Sequence, residues 1–155
     1  MAALAAARLD APWCDLDERV VRTTGMSIRA IFAAEGEASF RALERTAMLA
    51  ALAEAPQVIA AGAGWAAEPG NLADAACKAF TIYLRVTPAV AAGRLAGATD
   101  RPLLDGVPPE QRIAELLAVR EPSYRAAAAI LTADDATPEA IAAQVVALAR
   151  REAGW

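Results

Sequence analysis

Strand-like and helix-like segments alternate along this chain, and that alternation constrains its fold more than any other feature. PWCD, QVIAAGAG, FTIYLRV and AAILTAD are short apolar runs, and stretches of helical periodicity separate each from the next. Strands joined through helices pair most readily in parallel. The pattern predicts one α/β domain over residues 1–155, a parallel sheet flanked by helices, with ligands bound beyond the carboxyl ends of the strands. No internal repeat or flexible linker divides it.

Residues 2–9 read as a helix and Pro12 to Asp15 as a strand. Ser27 is placed to cap a helix carrying Ile28, Ile31 and Phe32, and Gly36 interrupts that pattern. A long amphipathic helix is expected from Ala38 to Ala55, with Phe40, Leu43, Ala47 and Leu52 on its apolar side and Pro56 as its stop. Further helices are expected near Asn71 to Lys78, from Thr87 and Pro88 onward, and from Pro109 to about Ala118. The last helix has Glu139 at its start and Arg150 and Arg151 at its end, as the helix dipole favours.

Composition narrows the chemistry. The chain has no histidine, which removes histidine triads and most catalytic zinc sites and leaves acid–base work to carboxylates. A net charge of −4 and the lack of any Lys/Arg run argue against nucleic acid and for a small-molecule ligand. No apolar stretch reaches the ~20 residues that span a bilayer, and the alanine-rich start does not make a signal peptide. A cytoplasmic protein is expected, with Cys14 and Cys77 as buried free thiols.

The segments WCDLD, TTGMSIRAIFAAEGEASFRALE, VIAAGAG, DRPLLDG and REPSY occur in the order and spacing of the shikimate kinases, and from Leu4 onward the chain resembles that family. The resemblance implies a nucleoside-monophosphate-kinase-like fold. It also implies ATP and magnesium as cofactors and transfer of the γ-phosphate to the 3-hydroxyl of shikimate, on the chorismate route to aromatic amino acids. Its members are monomers.

The resemblance also assigns roles. Asp15 falls near the magnesium water shell, and Asp17 on the shikimate hydroxyls, where it can accept a proton. Side-chain alternation in a strand would turn both acids to one side, although taken alone they read as acids capping the next helix near Glu18. Arg41 and Arg120 match the two arginines that clamp the shikimate carboxylate, and Glu44 the acid that holds the first. On residues alone, Arg41 and Glu44 are an ordinary helix-surface ion pair, and Arg120 is an arginine near a helix carboxyl end. Arg101 matches a lid arginine that reaches the transferred phosphate, in a lid of about 97–108, and Arg94 an arginine against adenine. Gly62, Ala63 and Gly64 match a three-glycine turn beside the substrate; the alanine is strained if that position needs positive φ. Trp65 reads as a core or rim aromatic.

In the family a first strand and a G-x-x-G-x-G-K-[ST] loop stand just before the helix that LAAARL continues, and these 155 residues contain neither. The loop cradles the phosphates, and the strand is the centre of a sheet ordered 2-3-1-4-5. An N-terminally truncated kinase with impaired nucleotide use is expected. The sheet should be open in the middle, with edges that invite association. A catalytically silent module that binds shikimate-like acids, or a partner protein, is the alternative.

Overall fold

A computed structural model describes residues 1–95 and 108–155 of the chain. Helix α1 (Ala2–Leu9) ends where Asp10 takes the left-handed conformation at φ 52°, and the chain enters β1 (Trp13–Asp15). Asp15 closes the strand and caps α2 (Leu16–Thr24), and Ser27 caps α3 (Ile28–Ala51) by accepting from the Ala30 N–H. Then follow β2 (Val58–Ala60), α4 (Ala63–Ala67), α5 (Asn71–Ala76), β3 (Ile82–Arg85) and α6 (Pro88–Leu95). The chain closes with α7 (Pro109–Tyr124), β4 (Ala129–Thr132) and α8 (Pro138–Glu152).

All strand pairing is parallel, as the alternation predicts. β1 lies beside β2 with Cys14 opposite Ile59, and β3 lies beside β4 with Tyr83 opposite Ile130. The two pairs do not join: among the described residues there are two two-stranded sheets. Between them lies a cavity of ≈ 650 Å³ whose lining includes Ile59 and Ala60 on one side and Tyr83 and Leu84 on the other. The expected opening in the middle of the sheet is therefore present.

The main core lies under the β1–β2 half, where Leu16, Val20, Ile31, Phe40, Met48 and Trp65 are buried together. A smaller cluster of Ala5, Ala142 and Val146 joins α1 to α8. Alanines at 1% and 0% exposure let those two helices approach closely, which explains part of the alanine-rich composition. No helix is long and apolar enough to cross a membrane, among the described residues.

Several boundaries differ from expectation. Gly36, by contrast, interrupts the helical pattern as expected, kinking α3 with a non-helical φ of 82° and ψ of 175°. α3 stops at Ala51, short of the expected Ala55, so Pro56 follows the end without causing it. α7 continues past Ala118 to Tyr124 and contains Pro122 in its last turn, where the proline lacks the N–H that would donate to the Ala118 carbonyl. Tyr124, 8% exposed, anchors that last turn and meets the Tyr83 ring at 5.2 Å. Cys77 is exposed and Cys14 half-buried, so neither is the fully buried thiol expected.

Candidate functional site

The carboxyl ends of β1 and β2 carry most of the residues singled out above. Asp15 is the last residue of β1, and its Oδ1 accepts from the N–H groups of Asp17 at 2.9 Å and Glu18 at 3.3 Å. Asp17 is not in the strand; it occupies the first turn of α2, so strand alternation does not orient it. The chain turns helical two residues earlier than the alternation argument requires, because Asp15 caps the helix. Asp17 instead reaches the turn after β2, where a β-carbon on Gly62 would lie 3.5 Å from its Oδ1.

The same imagined β-carbon would lie 2.9 Å from Glu44 Oε1, so Asp17, Glu44 and Gly62 converge. Glu44 is 1% exposed and accepts a short hydrogen bond from Arg41 Nη1. Burial pushes the Glu44 carboxyl above the usual carboxylate range, against the pull of Arg41, and Asp17 and Glu68 add to the rise. Burial also opposes the charge on Arg41, but its bonds to Glu37 and Glu44 outweigh that and the net shift is upward. The second guanidinium nitrogen of Arg41 donates to Glu37 Oε1 at 2.8 Å. Arg120 Nη2, from α7, lies 3.7 Å from the same oxygen. The two arginines thus meet across one carboxylate, which is the arrangement a small acid would find useful.

The glycine turn serves space and not torsion. Gly62 is extended at φ −63° and starts α4, and Ala63, its first residue, has no positive φ. The strain anticipated for alanine at this place is absent. At Gly64 a β-carbon would overlap the Arg41 guanidinium, so glycine is required by contact. Trp65 is 4% exposed within the core, and its Nε1 is a buried donor with no hydrogen-bond partner.

The remaining predicted residues stand apart. Arg94 donates to the backbone carbonyls of Ala133 at 2.6 Å and Asp134 at 3.3 Å, pinning α6 to the end of β4. Residues 96–107 lie outside the described residues, and with them Arg101 and the body of the expected lid. For magnesium, Asp15 offers one carboxylate with one oxygen already committed to the helix cap. No group of three or more metal-binding side chains exists among the described residues, so these residues do not by themselves build a magnesium site.

Sequence reasoning missed Glu37, Glu68 and Asn71. Glu37 had a readable signal, its i,i+4 spacing to Arg41. Glu68 Oε1 lies 3.9 Å from Arg41 Nε, and Asn71, 3% exposed, donates to the Trp65 carbonyl at 2.9 Å. Those relations arise from the fold and leave no mark on spacing.

A parallel α/β scaffold with an acid, a buried Arg–Glu pair and a second arginine gathered near its strand ends defines an α/β protein with a site suited to a small acid. The family model for shikimate kinase matches residues 1–150. The chain belongs to the shikimate kinase family. It is 38% identical to a shikimate kinase of Caldanaerobacter subterraneus subsp. tengcongensis over 132 residues, covering 85% of this chain and 77% of that one. To a shikimate kinase of Stenotrophomonas maltophilia it is 39% identical over 138 residues, with the same two coverages, 85% and 77%. The solved shikimate kinase from Acinetobacter baumannii in complex with shikimate superimposes with a TM-score of 0.91 at 26% identity, covering 97% of this chain and 84% of that one.

Proposed function

We propose that the protein serves ATP-dependent phosphorylation of the shikimate 3-hydroxyl, and that these residues form the acceptor side of that reaction. The observation that carries this reading is the convergence of Arg41, Glu44 and Asp17 beneath Gly62 and Gly64, with Arg120 facing them from α7. Arg41 and Arg120 hold the carboxylate of the acid, and Glu44 keeps Arg41 charged and directed. Asp17 binds ring hydroxyls and takes the proton of the attacking one. Gly62 and Gly64, with Ala63 between them, let the ring approach the backbone.

Bound ATP and magnesium would supply the transferable phosphoryl group and neutralise its charge. Asp15 is placed to touch the water shell of such a cation. Arg101 is the residue we assign to the phosphate, and Arg94 to the adenine side, where it keeps its carbonyl bonds. The sequence contains no G-x-x-G-x-G-K-[ST] loop, and its single lysine, Lys78, is an exposed residue just after α5. The alternative, a module that binds shikimate-like acids without phosphorylating them, is not favoured by relatives that are shikimate kinases over 85% of this chain.

Calorimetric titration of the 155-residue protein with shikimate and, separately, with ATP tests the proposal. Shikimate binding is expected; its absence would sink the acceptor-site reading. A coupled assay separates the two readings: phosphorylation of shikimate at an ordinary enzymatic rate removes the silent module. We further propose the cytoplasm as the protein's compartment, and association through the open edges of β2 and β3 at high concentration. Sedimentation that stays strictly monomeric would remove the second point.

A further inference from the structure

Glu37 follows the Gly36 kink and stands four residues before Arg41 on α3, at the i,i+4 spacing that lets the two side chains meet. One atom, Glu37 Oε1, takes a hydrogen bond from Arg41 at 2.8 Å and lies 3.7 Å from Arg120 Nη2. The two arginines come from different elements, and α4 packs against both α3 and α7. Two guanidinium groups brought together repel, and a carboxylate between them removes the repulsion and sets their separation. Glu44 is sealed at 1% side-chain exposure, whereas Glu37 remains 45% exposed, so it bridges at the rim of the site. Arg41 still has donor capacity: its Nε is buried without a hydrogen-bond partner.

We propose that Glu37 is a positioning residue for carboxylate recognition, fixing the spacing of Arg41 and Arg120 so that both meet the carboxylate of one acceptor molecule. This rests on the reading of the site as a shikimate site. Without the bridge Arg120 keeps its interaction with Tyr124 on its own helix but loses this tie to α3, so shikimate would have to gather the clamp itself.

The test is a double-mutant cycle on shikimate affinity, read by calorimetry at neutral pH on the folded proteins, with circular dichroism as the check on folding. Glu37→Gln keeps the shape and removes the charge; Arg120→Lys keeps the charge and removes the fork. Glu37→Gln alone is expected to weaken shikimate binding on the order of tenfold. In the Arg120→Lys background the same change should matter by less than about twofold, because there is no longer a fork to position. Equal losses in both backgrounds, no loss, or tighter binding in Glu37→Gln would each overturn the proposal, the last by showing that Glu37 competes with the ligand. If Glu37→Gln fails to fold, Glu37→Asp replaces it, and a full-strength clamp with that shortened bridge overturns the proposal equally. A wild-type protein that binds no shikimate overturns the site reading and this inference together; wild-type binding with indifferent variants overturns this inference alone.

Discussion

Gly64 has no room for a side chain because Arg41 already fills the space where its β-carbon would stand. Gly64→Ala should displace the guanidinium and weaken shikimate binding about tenfold or more, since small misplacements of a binding group have large effects. Gly93→Ala is the matched control, because a β-carbon there meets nothing within 4 Å and the position is helical and exposed. It should leave shikimate binding unchanged and raise stability by about 0.5–1 kcal/mol. Calorimetry and thermal melts on the two variants check both halves; normal shikimate affinity in Gly64→Ala would show that Arg41 yields freely.

Gly36 makes a different demand, one of torsion. At φ 82° and ψ 175° it occupies a region essentially restricted to glycine. Nothing lies within 4 Å of its would-be β-carbon, so any loss in Gly36→Ala comes from backbone strain and not from crowding. We expect about 1–3 kcal/mol of destabilisation, read from denaturant midpoints. An unchanged midpoint would mean that α3 can run straight through residue 36.

Asn71 holds the end of α4 in place. Its side chain is 3% exposed, donates to the Trp65 carbonyl at 2.9 Å and accepts from Arg45 at 2.5 Å. Asn71→Ala removes both of these bonds, one of them from a charged guanidinium, while the Trp65 carbonyl keeps the Glu68 N–H at 3.3 Å; the loss should be about 1–3 kcal/mol. For a chain of this size that lowers the melting temperature by roughly 2–4 °C per kcal/mol. A shift below about 1 °C, by calorimetric scan, would mean that water replaces the amide without loss.

Glu54 gives a pH signature. Hydrogen bonds from Arg19 at 2.6 Å and from Gln57 hold its carboxyl down at about 2, against an ordinary 4.5. A depressed carboxyl contributes stability that is fully present above pH 4.5 and is lost as pH falls toward 2. Glu54→Gln should therefore be less stable than wild type at neutral pH, and the two curves should converge across that window. Because the group is solvent-exposed the gap is small, and parallel curves down to the acid limit would exclude the linkage.

What the sequence made readable was mostly local. The strands within PWCD, QVIAAGAG, FTIYLRV and AAILTAD, and their parallel sense, follow from short apolar runs separated by helices, whereas which of them pair followed only from the family resemblance. Ser27 announces its helix as a cap. The Arg41–Glu44 pair follows from i,i+3 spacing. Asp17 was harder, since a two-residue shift in where β1 ends moves it from a strand to a helix. The bridge from Glu37 to Arg120 was beyond reach, because it joins residues whose proximity depends on how α7 comes to lie over α4. The exposure of Cys77 escaped for a related reason: it sits just past the end of a six-residue helix, and composition does not reveal which way such an end faces.

The opening between β2 and β3 has a mechanical consequence. No ladder of backbone hydrogen bonds crosses it among the described strands, so the two halves meet through side chains, as where α1 lies on α8 and α4 on α7. Under load the molecule should yield along that seam before either half unfolds. Arg41 belongs to one half, and Arg120, on the helix tied to β3 through Arg85 and Glu121, belongs to the other. In the proposed reading the two arginines are a caliper spanning the seam: a ligand gripped by both would also fix how far apart the halves can drift.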